Sequence, residues 1–421
     1  MLRGLASIGL AFAVVVSGAG CFGGGGGTSS GTGGGSGSGT GGTTTTVMKD
    51  PSSYAQTAGA AFPYPQGHAS STCGFPVYNS DDVYAAFQNW KAKFFDGTKI
   101  VRPENGNDTV SEGIGYGMLI GVFMNDQSMF DALWSFAKAH NDGHGLMTWC
   151  IPGGSGSCSG GGAATDGDED MAYALLMASK QWPGKASYAS DATAIINAIL
   201  QYEVDGSNVV KPGDNFGGAG EMNPSYLAPS YYRAFNKATG NAKWMSVLEE
   251  SYTILAGASG PYGLVPNWAD SSGKGIAGPT TDGSGPNFGY DACRTPFRIA
   301  LDYCLNGEPR AKTYAGLIAA FYASQASASS LSPIRDGYTP AGANPSGALG
   351  DYPAGMAYTG PGGVAAMAAG NTSLRDLTYT SLWAYTTQSG MKLSGVFTYY
   401  NASWGVLSLM TLTGNFWDMT Q

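Results

Sequence analysis

Charged side chains are scarce in this sequence. Only 12% of the 421 residues are Asp, Glu, Lys or Arg, and the net charge is −9. Proteins that bind nucleic acid neutralise its phosphates with Lys and Arg, so this composition argues against nucleic acid as a partner. It leaves room for an uncharged polar ligand such as a carbohydrate. The 12% of aromatic residues and the 66 glycines suit an exported protein that handles such a ligand.

Histidine is rarer still, with three residues in the whole chain. His140 and His144 are separated by Asn-Asp-Gly and should not share a helix face. The acidic run that begins at Asp166 does not fit an EF-hand, because Met171 and Met177 occupy the positions that require Gly and Glu. Zinc-type C-x-x-C pairs, nucleophile elbows and phosphate-binding loops are absent from the sequence. We therefore predict neither a metal site nor a cofactor.

Long apolar runs are confined to the N-terminus. Arg3 precedes an apolar stretch over residues 5–16, which is too short to cross a bilayer and ends shortly before Cys21. We predict a bacterial signal peptide of the lipoprotein type over residues 1–21, with Cys21 as the lipidated residue. Gly18 departs from that pattern, because Leu is usual at this position. Cleavage nearby with full secretion is the alternative. We expect an exported monomer, an outer-surface lipoprotein or a secreted protein, that contacts a membrane only through the lipid anchor.

The rest of the chain divides by composition. Residues 22–46 are almost entirely Gly, Ser and Thr, which cannot form a core and predict a flexible linker with a reach of roughly 25–30 Å. Residues 47–74 are interpreted as an N-terminal extension. The remaining residues, 75–421, contain no second linker and are predicted to form a single domain.

Cysteine is also infrequent, and export permits disulfide bonds. Cys150 and Cys158 flank a short Gly/Ser loop and are the best candidates for a pair. Cys293 and Cys304 are predicted on one helix, about 16 Å apart, which is too far for a bridge. At least one thiol should therefore be unpaired and buried, and the partner of Cys73 stays open.

Apolar residues recur at three- and four-residue spacing in twelve segments, which predicts an all-α fold. Helices such as the one around residues 171–178 are apolar nearly all round and should be enclosed, whereas others carry a polar face. Concentric inner and outer rings of helices would accommodate both classes. The predicted helices cover residues 81–95, 111–123, 128–139, 168–182, 188–202, 224–239, 243–256, 291–303, 309–324, 361–369, 373–387 and 402–413.

Three segments place a carboxylate at or just before the start of an apolar helix: Glu112, Asp166 in the preceding loop, and Asp291. Each alone could simply cap a helix or complement its dipole, which stabilises a helix by about 0.3–1 kcal/mol. In a ring of parallel inner helices, however, all three would meet at one cleft. Like charges at close range raise at least one pKa, and this supplies a proton donor beside ionised partners. General acid and base catalysis on a glycosidic bond requires that arrangement.

Aromatic and polar side chains near predicted helix ends could stack on a sugar ring or bond its hydroxyls. Core packing is the alternative for any one of them. The tryptophans inside helical stripes, at positions 134, 182, 244 and 404, are interpreted as core. The candidates for substrate binding are Trp149, Phe216, Tyr226, Tyr290, Arg294, Tyr399 and Tyr400, together with Trp268.

In these segments the chain resembles glycoside hydrolase family 8. The resemblance rests on ATDGDEDMAYALLMASKQW, SEGIGYGM, VVKPGDNFGG, NPSYLAP and GYDACR, which occur in the expected order and cover about residues 75–418. It implies an (α/α)6 barrel of six helical hairpins and an inverting mechanism. It further implies that Glu112 is the general acid, that Asp291 is the general base, that Asp166 binds and distorts the sugar, and that Trp149 is a stacking platform.

Within that family the motifs look more like the endoglucanase branch, which implies an inverting endo-β-1,4-glucanase whose substrate is a β-glucan polysaccharide or oligosaccharide. Phe216 departs from the Trp that endoglucanases often have there, so one sugar subsite could be weaker or altered. Xylan or mixed-linkage β-glucan as the substrate is the second hypothesis. A non-catalytic carbohydrate-binding envelope protein is the third, although such a protein would be expected to have lost one of the three acids.

Overall fold

The computed structural model describes residues 45–345, 349–387 and 398–421. The predicted signal peptide, its Cys21 and all but the last two residues of the predicted linker lie outside these ranges. In the described residues the structure is almost wholly helical, as predicted. Its twelve α-helices are α1 Ser80–Phe94, α2 Ser111–Phe123, α3 Gln127–Ala139, α4 Thr165–Gln181, α5 Ser187–Tyr202, α6 Pro229–Thr239, α7 Lys243–Ala258, α8 Thr295–Asn306, α9 Pro309–Gln325, α10 Met356–Ala369, α11 Thr372–Thr387 and α12 Tyr399–Leu412.

The helices form two concentric rings. The even-numbered helices pack in sequence, α2 on α4 and so on to α12, and α12 returns to α2 and closes the inner ring. The odd-numbered helices pack outside them, with α3 against α2, α5 against α4 and α7 against α6. This closed double ring of six hairpins is an (α/α)6 barrel. A two-stranded sheet, β1 Thr109–Val110 with β2 Cys150–Ile151, sits at its rim.

Burial separates the two rings as the residue pattern predicted. Nearly every residue of α2, α4, α10 and α12 is buried, whereas α3 and α5 bury one face only. Small residues allow the inner helices to approach closely. A Cβ atom on Gly115 of α2 would lie 2.8 Å from the Cβ of Asp170 in α4, and one on Gly167 would lie 2.6 Å from the backbone of Ser111. Gly115 of SEGIGYG and Gly167 are therefore needed at the α2–α4 contact, whereas Gly113 approaches Tyr399 and Gly117 approaches Leu133 and Ile100.

Several predicted boundaries move because of proline. The segment predicted over residues 224–239 divides into a 3-10 turn, Pro224–Tyr226, and α6, which begins at Pro229. The segment that starts at Asp291 likewise opens with a 3-10 turn, Ala292–Arg294, before α8. Helix α10 begins five residues earlier than predicted, so Pro361 lies inside it. The prediction placed this proline at a helix start, where a missing N–H costs least.

Residues 45–74 cover the barrel at the end where the inner helices finish. Phe62 donates its backbone N–H to Gln181 at the end of α4 (2.8 Å), and Gln66 donates its side-chain amide to the carbonyl of Phe123 at the end of α2 (2.8 Å). A disulfide bond joins Cys73 to Cys304 of α8. This segment therefore does not cover the opposite end of the ring, where the inner helices begin.

The second disulfide bond joins Cys150 to Cys158, as the spacing suggested, and Cys293 is the free, buried cysteine among the described residues. In the described part of the chain, no helix combines the length and apolar character needed to cross a membrane.

Candidate active site

The candidate active site lies where the inner helices begin. Each inner helix follows an outer one along the chain, so the inner helices run in the same direction and start at one end of the barrel. Glu112 is the second residue of α2, and Asp166 is the second residue of α4 rather than part of the preceding loop. Asp291 immediately precedes the 3-10 turn before α8. Tyr399 and Tyr400, expected just before the last helix, are its first two residues.

One buried arginine joins the three acids. The Nη1 atom of Arg294 donates to Glu112 Oε2 (2.9 Å) and to Asp166 Oδ2 (2.6 Å), and its Nη2 donates to Asp291 Oδ1 (3.2 Å). The guanidinium stacks on the ring of Tyr226, 5.1 Å from the ring centre. The structure thus brings together the three carboxylates that the sequence predicted to meet, around a residue predicted only to bind substrate.

Glu112 is placed to hold a proton near neutral pH. Burial raises the pKa of Glu112 to about 7, although the charge of Arg294 acts against this rise. The Tyr399 hydroxyl donates to Glu112 Oε1 (2.9 Å), which favours the ionised form and also lowers the pKa. A carboxyl group with a pKa close to the working pH is suited to general acid catalysis.

Asp291 is the most exposed of the three acids, with 31% of its side chain accessible against 4% for Asp166. Desolvation raises the pKa of Asp291, whereas Arg294 and the side chains of Trp268 and Asn223 favour its ionised form. Asp291 and Glu112 each bond one nitrogen of the shared guanidinium, which places the two carboxylates within roughly 9 Å of each other. This limit admits the separation of about 6.5–9.5 Å at which two carboxyl groups leave room for a water molecule.

The other acidic residues at the start of α4 bond other partners. Asp170 forms two hydrogen bonds of 2.9 Å with Arg298 of α8, and Glu169 accepts from the hydroxyl of Tyr232 (2.9 Å). Asp168 accepts the backbone N–H of Met147 (3.1 Å). Of the four acids gathered there, only Asp166 contacts Arg294.

The predicted aromatic residues fall into two groups. Tyr226 and the tyrosines at 290, 399 and 400 surround Arg294 and the acids; Tyr400 donates to the carbonyl of Tyr290 (2.6 Å). Trp149 and Phe216 are half-buried, Trp149 on the loop between α3 and α4 and Phe216 on the connection between α5 and α6. Trp268 is buried against Asp291, which removes it from the residues that could offer an open face to a sugar.

Sequence reasoning missed the residues that hold these side chains in place. The side-chain oxygen of Asn267 accepts the backbone N–H groups of Gly289 (3.0 Å), Asp291 (3.2 Å) and Ala292 (2.9 Å), which positions the loop that carries the acid. Glu104 accepts the backbone N–H of Tyr399 (2.7 Å). Both contacts join positions far apart along the chain, so no local sequence pattern indicates them.

A buried carboxyl group with a pKa near 7 that shares an arginine with a second, more exposed carboxylate, with aromatic rings beside them, suits the hydrolysis of bonds between sugars. The barrel and this site together define a glycoside hydrolase. The chain belongs to the glycosyl hydrolases family 8, whose sequence pattern it matches over residues 60–414.

The chain is similar to several characterised proteins. Endoglucanase A of Acetivibrio thermocellus is 34% identical over 87% of this chain and 76% of that protein. The beta-glucanase of Niallia circulans is 32% identical over 87% of this chain and 94% of its own length. The solved structure of a beta-1,3-1,4-glucanase from Paenibacillus sp. X4 superposes with a TM-score of 0.73, at 30% identity, over 85% of this chain and 99% of that one.

Proposed function

We propose that this protein is an inverting, endo-acting β-glucanase that cleaves β-1,4-linked glucan chains. One observation carries the proposal: Glu112 and Asp291 bind different nitrogens of the Arg294 guanidinium, so two carboxyl groups with different surroundings face one groove. The similarity to an endoglucanase and to two β-glucanases supports the substrate class.

Each acid has a distinct role in this proposal. Glu112, whose pKa of about 7 leaves a large fraction of it protonated at neutral pH, donates its proton to the oxygen of the leaving sugar. Asp291, more exposed and beside two donor side chains, removes a proton from the water that attacks from the opposite face. Asp166, fixed by Arg294 and by the Gly167 N–H (2.9 Å), holds the sugar at the point of cleavage. The half-buried Trp149 and Phe216 supply stacking surfaces further along the groove.

The test is reducing-sugar release from carboxymethyl-cellulose, lichenan, xylan and chitosan. We expect activity on the cellulose derivative or on lichenan, and proton NMR should show the α anomer as the first product. Glu112→Gln should lower kcat/KM by at least about 1000-fold without loss of folding. Glu249→Gln, which changes an exposed surface acid, is the matched control.

Three results would contradict this proposal. Retention of most activity by Glu112→Gln would remove its role as the acid. A β anomer as first product would exclude inversion. Absence of hydrolysis on all four substrates, with glucan still bound, would favour a non-catalytic binding protein, and a preference for xylan would favour the xylan-cleaving alternative.

Mixed-linkage β-glucan is the second candidate substrate, because the Paenibacillus protein named above is a beta-1,3-1,4-glucanase. Phe216 is the residue most relevant to this choice, since its ring offers less stacking area than Trp. Comparison of lichenan with carboxymethyl-cellulose for wild type and Phe216→Trp distinguishes the two. If Phe216→Trp raises activity on carboxymethyl-cellulose and not on lichenan, the sugar subsite at Phe216 binds linear β-1,4 chains.

We also propose that the protein is an exported monomer held to a bacterial surface by lipid on Cys21. The apolar N-terminal run and the Gly/Ser/Thr-rich segment after it support this proposal. Radiolabelled fatty acid should be incorporated into the full chain and lost in Cys21→Ser. Unchanged labelling in that variant would overturn the anchor.

A further inference from the structure

A second cluster of potential ligands lies beside the loops that lead to α4. Asp142, His144 and Asp214 each offer one atom, and these three atoms lie within 4.8 Å of one another. The donor set is one imidazole nitrogen and two carboxylate oxygens. Such a mixed set favours divalent transition metals over Ca²⁺, which takes six to eight oxygen ligands.

The local structure holds each of these side chains in position. Asp142 Oδ1 accepts the backbone N–H groups of His144 (2.7 Å) and Leu146 (3.1 Å), and Asp214 Oδ1 accepts that of Ala163 (2.9 Å). The His144 ring stacks on Tyr202, with ring centres 4.0 Å apart. Asp142 Oδ2 is left without a hydrogen-bond partner, whereas Asp214 Oδ2 forms a hydrogen bond with His144 Nδ1 (2.7 Å). The contact with Tyr202, outside the cluster, also orients the imidazole.

The hydrogen bond between His144 and Asp214 compensates only part of the negative charge of this cluster. Asp142 Oδ2 is buried without a hydrogen-bond partner, and Asp214 has 4% of its side chain exposed. Asp168 is fully buried beside them, and its Oδ2 also has no hydrogen-bond partner.

The neighbouring lysine does not supply the missing charge compensation. The ammonium group of Lys211 donates to the carbonyl oxygens of Tyr202 (2.8 Å) and Asp214 (2.7 Å). Carboxylate oxygens only accept hydrogen bonds, so two that face each other need a proton or a cation between them.

The distances suit a small ion. His144 Nδ1 is 2.7 Å from Asp214 Oδ2 and 3.9 Å from Asp142 Oδ2. Ligand atoms around a tetrahedral ion with bonds of about 2.0 Å lie roughly 3.3 Å apart. The two distances lie on either side of this value, and the two carboxylate oxygens lie within 4.8 Å of each other. Shifts of roughly 0.5–1.5 Å would therefore place all three atoms on one ion.

We propose that Asp142, His144 and Asp214 bind one divalent transition-metal ion, with water completing its coordination. The ion has a structural role. It links the loop after α3 to the loop that carries Phe216, and through Ala163 to the start of α4. Both loops border the groove of the proposed active site, so metal binding stabilises one wall of that groove.

The test is calorimetric titration of Zn²⁺, Mn²⁺ and Ca²⁺, each alone, into the chelator-treated full chain. We expect one equivalent of Zn²⁺ to bind and Tm to rise with Zn²⁺ concentration. His144→Ala should weaken binding at least tenfold and abolish the rise in Tm. Asp142→Asn, which preserves the shape of the side chain, should also weaken binding. These readouts do not depend on hydrolysis, so they are independent of the proposed function.

His140→Ala is the matched control, because His140 lies four residues away, bonds the carbonyl of Phe136 (2.8 Å) and is outside the cluster. It should bind Zn²⁺ as wild type does. The proposal is overturned if wild type binds no Zn²⁺ at millimolar concentration, if only Ca²⁺ binds, or if the two alanine variants lose affinity equally. If Zn²⁺ does not bind and Asp142→Asn leaves Tm unchanged, the carboxylates share a proton and do not bind a metal ion.

Discussion

At the scale of single residues, Arg294 determines how the three acids differ. All three bond the same guanidinium, but Glu112 also bonds a tyrosine, whereas Asp291 lies beside Trp268 and Asn223. Different surroundings let two similar carboxyl groups take opposite roles as acid and base.

Tyr399 provides a test of how the acid is tuned. In the proposed mechanism kcat/KM requires protonated Glu112, so it should fall as pH rises through about 7. It should also fall on the acid side as Asp291, whose pKa is raised, becomes protonated. Tyr399→Phe removes a hydrogen bond that favours ionised Glu112, so the alkaline limb of the pH profile should move upward, by about half a unit to one unit.

Tyr400→Phe is the control for that shift, because its hydroxyl donates to the carbonyl of Tyr290 and not to Glu112. Its alkaline limb should stay where it is in wild type. A downward movement in Tyr399→Phe, or equal movement in both variants, would contradict the assignment of the alkaline limb to Glu112.

The sequence predicted that the three acids meet, because their positions at helix starts depend on local pattern alone. It predicted Arg294 as a substrate residue and could not reveal its bonds to Glu112 and Asp166, which lie 182 and 128 positions away. Those contacts depend on which helices become neighbours. The support that Asn267 gives to the loop before Asp291 was missed for the same reason.

At the scale of secondary-structure elements, a buried ion pair joins α4 and α8, two inner helices that are separated in the ring by α6. Asp170 of α4 and Arg298 of α8 are each nearly inaccessible, with 2% of each side chain exposed. Asp170→Asn removes one charge and leaves the other buried. We expect it to lower the free energy of unfolding by about 3–5 kcal/mol in urea denaturation.

The exposed pair Arg310–Glu249, with 42% and 62% of the side chains accessible, is the comparison. Glu249→Gln should lower the free energy of unfolding by less than about 1 kcal/mol, since water screens that pair. Similar losses for the two variants would show that the inner pair contributes no more than a surface contact.

All twelve predicted helices are present. In a closed double ring, a helix with one buried face shows a periodic pattern of apolar residues, and a completely buried helix is apolar nearly all round. Both patterns can be recognised in the sequence. Pro361 shows where the pattern fails. Its position inside α10 is tolerated where glycines let neighbouring side chains approach, as Gly362 does for Tyr322 and Gly363 for Thr378. Proline is tolerated here because of contacts with other helices, and local helix propensities do not describe such contacts.

At the scale of the whole molecule, the two disulfide bonds should differ in their effect on stability. Cys73–Cys304 joins residues 231 positions apart, and Cys150–Cys158 joins residues 8 apart. The chain entropy removed from the unfolded state grows with loop length and corresponds to about 5.5 and about 2.5 kcal/mol. Replacing both cysteines of a pair by serine should therefore destabilise the protein more for the first pair than for the second.

Urea unfolding of the two double variants measures this difference, and the wild-type protein under reducing conditions provides a further reference. Equal destabilisation by the two pairs of substitutions, or a larger loss for Cys150 and Cys158, would contradict the dominant role of loop length.

The closure of the inner ring by α12 has a consequence for biosynthesis. Glu112 and the tyrosine that bonds it are separated by 287 positions, so a nascent chain displays the acid long before its hydroxyl partner leaves the ribosome. Until the last inner helix arrives, the apolar flanks of α2 and α10 lack their shared neighbour. Catalytic competence is thus acquired in a single late event, and an interrupted product would be both inert and prone to self-association.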